Sequence, residues 1–392
     1  MKAIVLFLGS LLVFQLQGLN AQNTLLHPSN VVQGVYGGLS KPLTEYPQIS
    51  SADIKKTGDP LSLLEVLGSF DGQFLAPSEY WPPCANGDVN SAFYVQTVYK
   101  SITVYTRNGQ KVWGPVPIIQ IFGNLPGTDP SNQQGPATLY YDDQAGRWFL
   151  AEMTTKAMYP LTNWYMIAIS SSSDPSGTWH TYSFQVGDNH GEPTFGIWRD
   201  AYYAESIGLL NSNAGVFAFE RTPMLDGDPA RLIAFTIPAA DWGFWGMDPV
   251  DNDGDFAPEG SPGLFIALND TADGGAKQQI WLYGLHADWA NPSNSTFGVV
   301  DKIDVEKTNN ALDSVTWEVP QKGSSQKLGV IPGMFMHAPQ YRNFGTYQTI
   351  VGCNNVNMNS GQASFHAGIE WYEFRKTGKN TSSIIAYRHQ MR

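Results

Sequence analysis

Charged residues are scarce in this 392-residue chain. They make up 15% of it, and the 35 acidic residues outnumber the 23 basic ones, so the formal net charge is -12. Because nucleic-acid binding needs Lys and Arg to neutralise phosphates, this balance argues against a nucleic-acid partner. No apolar run beyond Phe14 approaches the roughly 18 residues that a membrane-spanning helix needs, so no membrane span is expected.

The sequence also lacks the common catalytic signatures. It contains no Walker loop, no dinucleotide-binding fingerprint, no zinc-binding helix motif and no Gly-x-Ser-x-Gly elbow. These absences argue against the enzyme classes that such motifs define. They leave binding proteins and enzymes that have no short signature.

Aromatic residues, glycine and proline are abundant. Aromatics reach 13%, and there are 39 Gly and 25 Pro. So many large apolar side chains can outweigh the entropy of ordering the chain, which excludes extended disorder. Frequent Gly and Pro exclude a helical bundle and favour short strands joined by many turns.

The first residues are typical of an export signal. A positive start at Lys2 precedes an apolar stretch that ends at Phe14, and the small residue Ala21 suits a cleavage position. We therefore expect residues 1–21 to be a signal peptide and the mature protein to be secreted. Residues 22–65 are polar, with scattered Pro, Gly and Ser, and are expected to form an irregular leader.

Strand patterns dominate the remaining chain. Residues 92–105 are rich in β-branched and aromatic side chains, and Asn108-Gly109 then favours a tight hairpin turn. Four strand candidates follow between residues 138 and 184, and similar sets recur along the chain. Consecutive antiparallel strands in sets of four build propeller blades, whereas a sandwich needs long crossings between sheets. We predict an all-β fold in which residues 66–392 form a β-propeller of four-stranded antiparallel blades.

Several short blocks along this region carry a family resemblance. They are Gly87-Asp88-Val89, Leu139-Tyr140-Tyr141-Asp142 with Arg147-Trp148, Trp198-Arg199-Asp200-Ala201-Tyr202-Tyr203, Tyr341-Arg342-Asn343-Phe344-Gly345 and Trp371-Tyr372-Glu373. As a series, they resemble a family of secreted bacterial β-propeller proteins. The resemblance implies an exported propeller and no particular activity. Such proteins usually continue past the last block with another blade, so the ring is expected to lack a final blade or to close differently.

Acidic residues alternate in one segment of the chain. Asp251, Asp253 and Asp255 are separated by single residues, one of which is Gly254. A curved loop would turn the three carboxylates toward one hard cation, and oxygen ligands favour calcium. A solvated acidic turn would show the same pattern. We expect a calcium site here.

A second polar cluster contains residue types that transfer protons. His190, Arg199 and Tyr202 lie within one short stretch. In a polysaccharide lyase, an Arg would hold the substrate carboxylate while His or Tyr moves the proton. The same side chains would also serve in a core or in an ion pair. That structural interpretation is favoured, because nothing in the sequence fixes the geometry that catalysis needs.

Two further segments combine aromatic residues with turns. Trp242 and Trp245 lie in a loop flanked by Gly, and exposed aromatic faces stack on sugar rings, so these residues are the preferred ligand contacts. A place in the core is the alternative, and it is favoured for any one of these aromatic side chains. Residues 171–179 contain an Asp-box-like turn that occurs once. We expect Asp174 to lock this turn and Trp179 to pack between blades.

Cysteines and glycosylation motifs carry expectations that depend on export. Cys84 and Cys353 are the two cysteines, and in an oxidising compartment they form either one disulfide or two buried thiols. Both alternatives stay open. Asn-x-Ser/Thr motifs, which would carry glycans in a eukaryotic secretory host, occur at Asn269, Asn294 and Asn380.

Three functions fit these features. The first is a secreted, calcium-stabilised propeller that binds an extracellular glycan or matrix component without catalysis. The second is a polysaccharide lyase or glycoside hydrolase that acts in the propeller funnel. The third is a structural protein of an acidic extracellular matrix, which the net charge of -12 would suit.

Overall fold

The described part of the chain has a nearly all-β fold, as a computed structural model shows. The residues that it describes are 25–40, 69–73, 83–129, 133–155, 162–188, 190–208, 213–237, 246–269, 278–305, 318–319, 321–329, 334–335, 338–358, 367–377 and 384–391. Five antiparallel sheets stand in a ring, which is the arrangement of a β-propeller. The predicted fold class is therefore confirmed.

The first two strands form a strap across the outside of the ring. They are β1 (Asn30–Gln33) and β2 (Val35–Leu39). These strands do not pair with each other, because each adds a fifth strand to the outer edge of a different blade. Gly34 separates them, and its Cα lies so near the Phe184 ring that a Cβ would come within 2.3 Å of it. A residue without a side chain is therefore required at this crossing.

This strap differs from the irregular leader that the sequence predicted for residues 22–65. The described part of that segment, residues 25–40, contains both strands. The strands are four and five residues long and hold mostly exposed side chains. Such short edge strands have little hydrophobic alternation, and their pairing depends on neighbours far away in the sequence.

Blade 1 is a meander of four strands. They are β3 (Ala85–Val89), β4 (Phe93–Val98), β5 (Ser101–Thr106) and β6 (Lys111–Pro117), and the helix α1 (Ile119–Phe122) follows. The Asn108-Gly109 turn between β5 and β6 is confirmed. Gly109 has a φ of 88°, which an L side chain rarely adopts.

Blade 2 has four meandering strands and the outer strand β2. The four are β7 (Gln133–Asp142), β8 (Arg147–Thr155), β9 (Thr162–Ser170) and β10 (Trp179–Asp188). Strand β2 pairs antiparallel with β10, with His180 opposite Leu39. Both faces of β8 and β9 are buried, since blades 1 and 3 cover them.

Blade 3 repeats this plan with β1 at its outer edge. Its strands are β11 (Thr194–Ile197), β12 (Ala201–Ser206), β13 (Ala214–Glu220) and β14 (Arg231–Ile237), and the helix α2 (Arg221–Asp226) joins the last two. Strand β1 pairs antiparallel with β14, with Asn30 opposite Ala234. The strap therefore links blades 2 and 3 from outside.

The chain then connects blades 4 and 5 through two adjacent strands. Strand β15 (Met247–Pro249) is the first strand of blade 4, and β16 (Asp251–Asn252) pairs parallel with β22 in blade 5. The other strands of blade 4 are β17 (Gly263–Asn269), β18 (Gln278–His286) and β19 (Thr296–Val305), with a 3-10 helix at Pro292–Asn294. Strands β20 (Glu318–Val319) and β21 (Leu328–Gly329) make a small hairpin, and β22 (Gln340–Asn343), β23 (Tyr347–Asn357), β24 (Ala367–Thr377) and β25 (Ile384–Met391) complete blade 5.

Large side chains fill the spaces between blades. One cluster joins blades 1 and 2 and includes Trp113, Trp148 and Trp179. A second cluster joins blades 2 and 3, and a third joins blades 3, 4 and 5. Burial of these apolar faces stabilises the ring at about 25 cal/mol per Å² removed from water. The two helices in the described ranges have four and six residues, and no helix there has the length and apolar character to cross a membrane.

Candidate functional site

A cleft with a volume of about 610 Å³ lies between blades 2 and 3, beside the strap. The ends of β10 and β13 form one part of its wall, while β1 and β14 form another. Its described lining residues are Ser29, Asn30, Val32, Gln185, Val186, Gly187, Asp188, His190, Asn213, Gly215, Phe217, Leu232, Ala234, Phe235 and Thr236. The cleft falls in the size range of small-ligand sites.

The rim of the cleft is polar and exposed. The side chains of Asn30, Gln185 and Asp188 are solvent-exposed and form no hydrogen bond with any residue in the described ranges. Ser29 and Thr236, by contrast, bond to each other through their hydroxyls at 2.9 Å. Two amides and one carboxylate are therefore open to a ligand.

The floor of the cleft is apolar and buried. Phe217 and Leu232 are buried there, and the Phe217 ring meets the Tyr165 ring edge to face at 5.3 Å between centroids. Gly215 lets this floor approach His190, because a Cβ there would lie 2.8 Å from the imidazole Cε1. Above this buried floor, three apolar side chains of the lining are partly exposed, those of Val32, Val186 and Ala234. Together with the free amides and the carboxylate, they suit a ligand with both C–H faces and hydroxyl groups.

His190 is held in the wall of the cleft by contacts on several sides. Its ring stands edge to face with Phe217 at 5.5 Å, and its backbone carbonyl accepts a hydrogen bond of 2.7 Å from the Asn163 side chain. Burial lowers the pKa of His190 below its usual value, so the imidazole is neutral at pH 7. Its Nδ1 atom is buried and has no hydrogen-bond partner in the described part of the chain.

The three candidate catalytic residues do not converge. His190 precedes β11, whereas Arg199 follows that strand, so the two lie at opposite ends of it. Arg199 donates a hydrogen bond of 2.8 Å to the carbonyl of Ala257 and stacks on the Phe256 ring. Tyr202 is fully buried. The structure therefore separates the residues that the lyase hypothesis required to act together.

Tyr202 belongs instead to a buried ionic network that the sequence did not predict. Its hydroxyl donates to Asp142 at 3.1 Å, and Arg221 holds the same carboxylate with two bonds of 2.7 and 2.8 Å. Asp142 is 1% exposed. Burial, together with the Asp142 charge, raises the pKa of Tyr202 far above its usual value. These features make the network a structural link between blades 2 and 3.

The predicted calcium ligands have separate surroundings. Asp251 is 8% exposed and accepts a hydrogen bond of 2.8 Å from the Ile197 amide, which joins β11 to β16. Asp253 lies 3.6 Å from the Arg342 guanidinium. No group of three His, Cys, Asp or Glu side chains within the described residues is arranged to hold a metal ion. The calcium site at Asp251, Asp253 and Asp255 stays a prediction.

Two other carboxylates lie near Asp253, and the sequence pattern did not single them out. Burial raises the pKa of Asp143 to about 6, and a hydrogen bond with the Asp253 carboxyl group contributes a smaller part of this increase. Asp88 accepts a bond of 2.7 Å from the Tyr141 amide, and burial raises its pKa. Asp88 lies in blade 1, and Asp143 lies in the turn after β7 of blade 2. The packing of neighbouring blades therefore brings them together, and their spacing in the sequence does not.

A separate set of carboxyl groups is buried between strands. Glu152 is 1% exposed, and burial raises its pKa to about 8. Glu205 and Asp248 form a close pair at 3% and 1% exposure, and burial raises the pKa of both. One oxygen of each member of the pair, and both oxygens of Glu152, have no hydrogen-bond partner among the described residues. These groups are therefore protonated over a wider pH range than exposed carboxyls.

The disulfide alternative is wrong, because Cys84 and Cys353 are both free thiols. Cys84 precedes the first strand of blade 1, whereas Cys353 lies in β23 of blade 5, opposite Trp371. Burial raises the pKa of each thiol. The two side chains belong to different blades and are not brought to bonding distance.

The Asp-box-like turn has the structural role that the sequence predicted. Asp174 accepts hydrogen bonds from the amide and the hydroxyl of Ser176, at 2.9 and 2.6 Å. Trp179 is fully buried in the cluster between blades 1 and 2, and its indole donates to the Pro175 carbonyl at 3.1 Å. The turn closes the hairpin of β9 and β10.

Some predicted sites lie outside the described residues, namely Trp242, Trp245 and Asn380, as do residues 1–21. Asn269 is 5% exposed at the end of β17, which makes it a poor glycan acceptor in the folded chain. Asn294 is exposed in the 3-10 helix of blade 4.

Comparison with known families finds no family model that matches the chain, and no curated protein matches it either. The resemblance to secreted bacterial propellers therefore stays a prediction from the sequence blocks.

Proposed function

We propose that this protein is a secreted β-propeller that binds an extracellular glycan, without catalysis, in the cleft between blades 2 and 3. One observation carries the proposal. The Asn30 and Gln185 amides and the Asp188 carboxylate stand free around an apolar floor. Sugar hydroxyls would bond to the amides and the carboxylate, and the C–H face of the ring would contact the partly exposed side chains of Val32, Val186 and Ala234.

The charges in the cleft favour binding over hydrolysis. A glycoside hydrolase uses two carboxyl groups that stand about 5 to 9.5 Å apart. Among the described lining residues, Asp188 is the one carboxylate. A lyase would need Arg199 or Tyr202 beside His190, and the structure holds those residues elsewhere.

A glycan panel tests the proposal. The purified protein is titrated with soluble polysaccharides and oligosaccharides by isothermal calorimetry, alongside Gln185→Ala. The matched control is Gln326→Ala, which removes an exposed amide from the turn between β20 and β21. Loss of one hydrogen bond of about 1 kcal/mol weakens binding about fivefold, so Gln185→Ala should lose that much affinity and the control none.

Two results would reject the proposal. One is a panel in which no glycan binds. The other is a glycan that binds both variants and the parent protein equally. Release of reducing ends or unsaturated products in the same reactions would reject the non-catalytic part of the proposal.

Export and calcium binding are further parts of the proposal. Secretion rests on the apolar stretch that ends at Phe14, and sequencing the N-terminus of the exported protein would test it. Calcium binding rests on the acidic surroundings of Asp253, whose carboxyl group shares a hydrogen bond with the carboxyl group of Asp143. A cation would relieve the repulsion between these carboxylates.

A further inference from the structure

We propose that the cleft between blades 2 and 3 selects a sugar unit without anionic groups, with Asp188 as the carboxylate that accepts hydrogen bonds from its hydroxyl groups. This inference rests on the proposed glycan-binding function and names the class of glycan. It goes further than glycan binding, because sulfated and uronate-containing polymers are also common outside cells.

The described lining of the cleft disfavours a negatively charged ligand. Asp188 is the one acidic residue among the described lining residues, and these include no Lys or Arg. A sugar carboxylate or sulfate placed about 4 Å from Asp188 would be repelled by about 1 to 4 kcal/mol, depending on the local dielectric. The net charge of -12 adds a repulsion of longer range.

His190 does not supply the missing positive charge. The imidazole packs edge to face on Phe217, and its Nδ1 atom is buried without a partner in the described residues. Protonation would bury a charge in this environment, so the neutral form is favoured. An anionic ligand would therefore meet no cation in the described lining.

The free polar groups, in contrast, match hydroxyl groups. The Gln185 and Asn30 amides each offer both a donor and an acceptor, and the Asp188 carboxylate offers two acceptor oxygens. Hydroxyl groups donate and accept in the same way, whereas sulfate and carboxylate groups only accept. The lining can thus satisfy a neutral sugar without leaving buried charge unpaired.

The residues that would contact the sugar come from two parts of the chain that are distant in sequence, the strap and β10. Asn30 reaches the cleft from β1, which is held opposite Ala234 in β14, while Gln185 and Asp188 lie at the end of β10. A sugar that contacts both walls would therefore be fixed between the strap and blade 2. Loss of either wall should weaken the same ligand.

The test compares three glycan classes on four proteins. The classes are neutral oligosaccharides such as those of mannan, xylan and β-glucan, anionic polymers such as alginate and heparin, and cationic chitosan oligosaccharides. The proteins are the parent chain, Asp188→Asn, Gln185→Ala and the control Glu259→Gln, which removes an exposed carboxylate elsewhere in the fold. Thermal melts confirm that each variant is folded.

We expect the parent protein to bind a neutral oligosaccharide with an affinity that does not depend on salt. Asp188→Asn should weaken this binding about tenfold, and Glu259→Gln should leave it unchanged. Charge-assisted hydrogen bonds are stronger than neutral ones, which is why the isosteric amide should lose affinity. Binding of an anionic glycan in preference to the neutral and cationic ones, when Gln185→Ala weakens it, would overturn the inference and leave the proposed function intact. Absence of binding to every class would remove the proposed function itself.

Discussion

Glu152 gives the sharpest prediction about stability. This residue lies in β8, is 1% exposed, and has no hydrogen-bond partner for either carboxylate oxygen in the described part of the chain. Burial raises its pKa from 4.5 to about 8, and the opposing effect of Lys100 is smaller. The prediction concerns the replacement Glu152→Gln, which keeps the shape of the side chain and removes its titration.

The sign and size of the effect follow from proton linkage. Between pH 5 and pH 8 the unfolded chain has an ionised Glu152, while the folded protein keeps it protonated, so folding takes up a proton and stability falls as the pH rises. Each unit of pKa shift corresponds to about 1.4 kcal/mol. Over this window, titration of Glu152 should therefore lower the free energy of unfolding by about 3 kcal/mol.

Urea unfolding at pH 5, 6.5 and 8 measures this dependence. The parent protein should lose stability as the pH rises, and Glu152→Gln should lose about 3 kcal/mol less over the same window. The control Glu259→Gln, at an exposed position, should leave the pH dependence unchanged. An equally steep dependence in Glu152→Gln would show that Glu152 already ionises within the fold, and the reasoning from burial would fail. The pKa values of Glu205 and Asp248 are also raised, so some dependence of stability on pH should remain in every variant.

Two further predictions concern the acidic residues near the turns. Replacing Arg221 with Met leaves the Asp142 carboxylate buried without its two ionic hydrogen bonds of 2.7 and 2.8 Å, so the free energy of unfolding should fall by about 3 to 5 kcal/mol. The double variant Asp142→Asn with Arg221→Met should recover much of this loss, and a single-variant loss below about 1 kcal/mol would contradict the role of the network. For calcium, a chelator should lower the melting temperature of the parent protein, and Asp253→Ala should abolish that sensitivity. An unchanged melt in EDTA would reject the site.

Much of the fold could be predicted because its signals are local. The β-branched and aromatic residues of 92–105 and the Asn108-Gly109 turn predicted a hairpin, which the structure confirms for β5 and β6. Residues 92–105 form two strands, β4 and β5, and not one. The turn around Asp174 was expected to be structural, and its hydrogen bonds with Ser176 bear this out. In each case the residues that determine the conformation are close together in the sequence.

The strap and the cleft could not be predicted in this way. Strand β1 contacts β14, with Asn30 opposite Ala234, and the separation in sequence is about 200 residues. Only the closed arrangement of blades 2 and 3 brings the strap beside Gln185. The cleft is therefore a consequence of tertiary pairing, which single-sequence patterns do not report.

The residue types in the sequence also did not show which side chains are catalytic and which are structural. His, Arg and Tyr in one short stretch suggested a proton-transfer site, but Tyr202 is associated with Arg221 and not with Arg199, because both Tyr202 and Arg221 bond to the Asp142 carboxylate. Burial there stabilises an ion pair and holds the phenol protonated, since the pKa of Tyr202 is raised far above its usual value. A group fixed in that form, with its oxygen already bonded to a carboxylate, is unsuited to accept a substrate proton at neutral pH. The same three residue types would serve catalysis only in a solvent-accessible cleft, and in this protein the cleft contains none of them except a neutral His190.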